Sequence, residues 1–185
     1  MTSKLKTDVL ETVSGSGTIA LTNQLSGMTS ASVPSGSVLQ VVQITSVVQS
    51  TSTSGSDVDL FTAAITPSST SSKILVSTTI FHGKGNDETF YMSRNGTKIA
   101  GVGSGGTSYI SVGSFYNSDN SVARDTATMA SLSYQYLDSP SSTSEVTYKI
   151  GHMSPSSGPA FYINRAVTAG QGFGRSTLTL TEIQG

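Results

Sequence analysis

At 185 residues and a net charge of −1, the chain suits one compact domain plus a short extra segment, and it is too neutral for nucleic acid to be a principal partner. Apolar residues make up only 35% of it, Ser and Thr together about a third, and there are 19 Gly, a composition that points to thin, one-sided strands joined by short turns. There is no cysteine, which excludes disulfides and thiolate metal sites, and no apolar run approaches the ~20 residues that span a bilayer.

Residues 1–37 read as an extended segment set apart from the rest. Lys4 and Lys6 are followed by no apolar core of a leader, so a secretory signal is not expected. Thr18-Ile19-Ala20-Leu21-Thr22 alternates as one short strand behind Ser14-Gly15-Ser16-Gly17. Such a piece cannot build a core alone. Its apolar residues Leu5, Val9, Leu10, Ile19 and Leu21 are therefore expected to attach it to the domain, a sister subunit or a larger assembly. Pro34-Ser35-Gly36-Ser37 closes the segment with turn chemistry.

Residues 38–185 read as a succession of strands. Val38–Ile44 is β-branched and apolar, Ser50–Ser56 is a Ser/Thr loop, and Leu60–Ile65 follows. Pro67–Ser72 turns the chain into Lys73–Phe81. Thr89–Arg94 and Thr97–Val102 flank Asn95-Gly96, the pair best suited to a type I′ hairpin because both residues tolerate positive φ. Further strands are expected at Ser108–Val112, Ala127–Gln135, Val146–Met153, Ala160–Asn164 and Leu178–Ile183. Nothing sustains a 3.6-residue apolar period, and roughly nine strands in a domain of this size predict an antiparallel jelly-roll β-sandwich.

Groups able to carry catalysis are sparse. His82 lies in Phe81-His82-Gly83-Lys84-Gly85-Asn86-Asp87-Glu88, whose spacing fits no metal-ligand template and reads as a polar hairpin loop. His152 has no Gly-x-Ser-x-Gly elbow to serve. The carboxylates Asp57, Asp59, Asp87, Glu88, Asp119, Asp125, Asp138 and Glu145 mostly flank turns, where Asp is favoured for its local hydrogen bonds. Asn95-Gly96-Thr97 matches a glycosylation sequon, but the hairpin explains it better. Gly101–Gly106 follows a strand yet opens no helix, so it is a loop and not a phosphate cradle. No catalytic residue, metal ligand or cofactor is assigned, and the chain is read as non-enzymatic. Aromatic residues beside small polar ones suggest an adaptable contact surface, for which Phe115, Tyr116, Tyr134 and Tyr136 are the candidates.

Lys4–Asp8, Asn23–Met28, Pro34–Val42, Ile65–Val76, Tyr136–Pro140 and Ser176–Ile183 together resemble small tail-fibre or virion-surface proteins of marine phages, including phages of cyanobacteria. The run Pro67-Ser68-Ser69-Thr70-Ser71-Ser72-Lys73-Ile74-Leu75-Val76 contributes most to that resemblance. The order of elements also resembles the trimeric jelly rolls of the C1q and tumour-necrosis-factor type, with Arg94-Asn95-Gly96 as the central hairpin. That resemblance implies a homotrimer in which Leu178, Leu180 and Ile183 bury the interface near a threefold axis.

The family's long shaft or stalk has no counterpart before the domain. That departure leaves a short tail fibre or fibre tip, a capsid-decorating protein and a glycan-active tailspike as alternatives, in that order. The implied partners are further copies of the chain, other tail or capsid proteins, and a host cell-surface glycan or protein. The implied location is the virion, after synthesis in the host cytoplasm, with no insertion into a membrane.

Overall fold

The computed structural model describes residues 33–52, 57–83, 88–100, 113–115, 129–153, 161–168, 170 and 172–185. These contain no helix and eleven strands: β1 (Val38–Ser46), β2 (Ser50–Ser52), β3 (Val58–Ile65), β4 (Lys73–Gly83), β5 (Glu88–Arg94), β6 (Thr97–Ala100), β7 (Gly113–Phe115), β8 (Met129–Asp138), β9 (Val146–Met153), β10 (Phe161–Ile163) and β11 (Ser176–Ile183). All pairings are antiparallel. One sheet runs β1-β11-β4-β10-β2 with β8 on the other side of β4, and the second runs β3-β9-β5-β6 with β7 added to β5. The chain crosses repeatedly between the two sheets from β2 to β5 and from β7 to β10, and the described residues form an all-β jelly-roll sandwich.

The period-2 pattern explains which side of each strand is buried. Along β4, Ile74, Val76, Thr78, Ile80 and His82 are buried, while Lys73, Leu75, Ser77, Thr79 and Phe81 are only partly covered. Along β11, Ser176, Leu178, Leu180 and Glu182 turn inward and Thr177, Thr179, Thr181 and Ile183 outward. Facing them from the second sheet are Phe61, Ala63, Ile65, Phe90, Met92, Val146, Tyr148 and Ile150. The Asn95-Gly96 turn forms as expected, with φ of 48° and 85°.

Two expectations need correction. Ser50–Ser52 is not loop but the edge strand β2, because Phe161–Ile163 offers it a ladder. His82 does not lie in a polar loop: β4 runs on to Gly83, and alternation carries the imidazole into the core. The strand expected at Ser108–Val112 lies outside the described residues, and the nearby β7 was not expected at all.

Apolar side chains fill the middle of the sandwich and polar ones close its two ends. At one end Asp138 is buried, accepts from Arg94 Nη1 at 2.9 Å and from the Tyr148 hydroxyl at 2.6 Å, and so joins β8 to the opposite sheet. Beside it Glu182 is also buried and accepts from Ser68 N, Ser68 Oγ and Gln40 Nε2 at 2.6–2.7 Å. Burial alone would raise its pKa, but the bonds from Ser68 and Gln40 outweigh burial and lower it.

At the other end stands Asn164, buried, with φ of 58°. Its Oδ1 accepts from Ser176 N at 3.1 Å and Ser176 Oγ at 2.6 Å, and its Nδ2 donates to Ser46 O at 3.1 Å and Val48 O at 3.0 Å. Its backbone N–H reaches Phe81 O at 2.9 Å. One amide thus ties the end of β1, the start of β11 and the upper part of β4. Removing it strands several buried partners at once, so Asn164→Ala should lower unfolding free energy on the order of 3 kcal/mol in denaturant titrations. Asn164→Gly, which accepts the positive φ but not the hydrogen bonds, should recover only a small part of that loss.

Candidate interaction surface

The outer face of the larger sheet is defined by register. Across β1, β11, β4 and β8, Val41, Thr181, Leu75 and Leu137 form one row. The next rows are Gln43, Thr179, Ser77, Gln135 and then Thr45, Thr177, Thr79, Ser133. Gln43 Nε2 donates to Thr179 Oγ1 at 2.8 Å, and the hydroxyls of Thr79 and Ser133 lie 3.0 Å apart, so neighbours partly satisfy one another. A shallow depression of about 560 Å³ runs along these residues. Among the outward residues of these four strands only Lys73 is charged, and it sits at a corner with its ammonium on Ser139 Oγ at 2.8 Å. This face can therefore be dehydrated without stripping water from ions, the costliest part of burying a polar surface.

The outer face of the second sheet has the opposite character. Lys98 pairs with Asp57 at 2.8 Å and Lys149 with Asp59 at 2.6 Å. Tyr91 lies flat between them over Gly151, where any side chain would collide with its ring. The Lys98 ammonium is 4.5 Å from the ring centroid, and the Tyr91 hydroxyl lies 3.4 Å from Asp59 Oδ1. Burial, then the charges of Asp57 and Asp59, raise the Tyr91 pKa. Both carboxylates are thus held by lysines on an exposed face, a geometry of solvated ion pairs.

Between the sheets a column of rings runs from His82 through Phe90 and His152 to Phe161. His82 and Phe90 meet edge-on at 5.2 Å, Phe90 and His152 at 5.6 Å, and His152 stacks on Phe161 at 3.5 Å. Neither ring nitrogen of His152 has a hydrogen-bond partner among the described residues. Burial, reinforced by the proximity of His82, lowers the His152 pKa to about 4. No group of three or more potential metal ligands occurs among the described residues.

The expected contact residues are dispersed. Leu178 and Leu180 are fully buried inside their own subunit, and only Ile183 of that trio faces outward. The expectation that Leu178 and Leu180 bury a threefold interface is corrected by their position: the facing sheet already covers them. Tyr134 and Tyr136 do share a face, but it is the inner one, where both are half-buried against the core. Leu137 is the outward residue there, 54% exposed. Phe115 ends β7, and Tyr116, Leu5, Val9, Leu10, Ile19 and Leu21 lie outside the described residues. The outward Ser, Thr and Gln rows were not singled out from sequence, although Thr177-x-Thr179-x-Thr181 carries their signal.

No family model and no curated protein matches the chain. Among solved structures it is similar to infectious bursal disease virus Gx strain, with 13% identity over 89% of this chain and a TM-score of 0.37. It is also similar to the VP2 subviral particle of infectious bursal disease virus, with 14% identity over 79% of this chain and a TM-score of 0.35. The chain spans 42% and 37% of those two chains. Both scores are low, and neither structure identifies this chain or its activity.

The histidine column makes the fold acid-sensitive in a defined direction. The unfolded chain takes up a proton near pH 6.5, whereas the folded one keeps His152 neutral down to about 4. Its contribution is thus complete above pH 6.5 and is lost as pH falls toward 4, by about 3 kcal/mol over that window. Denaturant titrations at pH 7 and 4.5 should show this loss, and His152→Phe should flatten it. An unchanged slope in that variant would assign the acid sensitivity elsewhere.

Proposed function

We propose that the chain is a non-enzymatic structural protein of a virus particle, assembling as a homotrimer and acting as a short tail fibre or fibre tip. The observation that carries this reading is the outer face of the larger sheet, uncharged but for Lys73 at its corner, opposed to an ion-paired face on the other side. Four strands about 4.8 Å apart and about eight residues long give roughly 500 Å². That is a contact somewhat below the ~800 Å² per partner of a standard interface. Contact between copies through this face buries Val41, Leu75 and Leu137 and leaves the Lys–Asp face in water. Three copies then multiply any weak contact with a host surface through high effective concentration.

In this reading residues 1–37 fasten the trimer to other virion proteins, and the ligand contacted is a cell-surface glycan or protein. A capsid-decorating role uses the same self-association, and imaging purified particles by electron cryo-microscopy separates the two by location. Thr179 and Ser133 point outward from the centre of the face, so Thr179→Glu with Ser133→Glu leaves the core intact. Sedimentation equilibrium at micromolar concentration should give a trimer for the native chain. The double variant should associate at least about 100-fold more weakly, the equivalent of about 3 kcal/mol. A native chain that sediments as a monomer overturns the proposal.

A further inference from the structure

β1 is a long sheet edge without the usual protection. Among the described residues it is hydrogen-bonded on one side only, to β11. Its sequence, Val38-Leu39-Gln40-Val41-Val42-Gln43-Ile44-Thr45-Ser46, contains neither a charge nor a proline. The one irregularity lies between Val38 and Gln40, so the ladder is regular from Gln40 onward. Val38 and Val41 are 59% and 58% exposed. Edges of this kind are normally shortened, charged, bulged or covered, because their free N–H and C=O groups pair with any extended chain. The edges of the second sheet follow that rule: β3 has Asp59 and a bulge, and β6 is four residues long with Lys98.

A tight turn immediately precedes β1. Ser37 N donates to Pro34 O at 3.1 Å, and Gly36 has the φ of 87° that the third position of a type II turn requires. Gly36 N donates in turn to Gln184 O at 2.8 Å, which fixes the turn against the sheet.

Thr18-Ile19-Ala20-Leu21-Thr22 is uncharged, alternates with period 2, and at five residues can pair with most of the seven-residue regular part of β1, Gln40–Ser46. Residues 23–37 form the tether, short enough to hold the segment at millimolar effective concentration. β8 is a second long edge of the same sheet, but it lies three strand spacings away, about 14 Å.

We propose that the free edge of β1 is completed by Thr18–Thr22 of the same chain, added antiparallel so that Ile19 and Leu21 extend the face on which Val41 lies. This does not depend on trimer formation. It extends the larger sheet by main-chain pairing, the mode by which extended peptides add to open edges.

Two measurements on the full chain test it. Hydrogen–deuterium exchange should show the β1 amides that point away from β11 losing at least tenfold protection in Ala20→Pro, with β4 and β8 unchanged. Proline removes one donor and cannot sit in a paired central strand, whereas Ala20 lies outside the described sandwich. Equal exchange in native and variant chains overturns the proposal. So does protection that disappears on dilution, since a second copy would then be the occupant. Because the chain has no cysteine, Leu21→Cys with Val41→Cys, and Ile19→Cys with Gln43→Cys, give an independent readout under mild oxidation. At least one pair should close within a single chain. Failure of both to close, or closure between chains only, rules the arrangement out.

Discussion

The pairing of β11 with β4 is the constraint on which the rest of the sandwich depends. These two strands occupy the centre of the larger sheet, and their residues alternate strictly between buried and outward, with Leu178 and Leu180 inside and Thr177, Thr179 and Thr181 outside. A slip of one residue would send Thr177, Thr179 and Thr181 into the core and Leu178 and Leu180 into water. With so few apolar residues in the chain, no neighbouring strand could compensate. Register here therefore decides at once where the core lies and which surface remains free of charge.

The polar ends work with that central pairing. Glu182 is the residue after which alternation would otherwise leave a buried charge, and it survives because Ser68 and Gln40 bring three donors to it. Asp138 is held in the same way by Arg94 and Tyr148. Asp138 thereby fixes sheet against sheet, and Glu182 ties β11 to β1 and to the loop after β3, where a thin core supplies little shape selectivity. His152 does the reverse. Its buried ring is at home there only while neutral, and so makes that end conditional on pH.

Much of this architecture is legible in the residues themselves. Val146–Met153 was delimited as it stands, Asn95-Gly96 announced its hairpin, and β4 needed only two more residues at its end. What failed did so for identifiable reasons. Ser50–Ser52 has no side-chain signature of a strand, and its extended form comes from the partner edge of β10. The inward side that Tyr134 and Tyr136 take is ambiguous in the sequence because Leu132 and Leu137 fall on opposite faces. Asn164 was placed within an expected strand; only its left-handed backbone, created by tertiary contacts, makes it a hub. Leu178 and Leu180 show that an apolar alternation establishes burial but does not tell intramolecular burial from burial by a neighbour.

The position of β11 along the chain has a consequence for biosynthesis. β1 emerges early from the ribosome, but its hydrogen-bonded neighbour and the central partner of β4 are both Ser176–Ile183. Until that stretch has been made, the larger sheet lacks its middle. The nascent polypeptide must stay extended and unclosed for most of translation, then zip together over very long sequence separations. A composition dominated by hydroxyls, with few strongly sticky segments, keeps such a waiting chain from clumping before its last strand arrives.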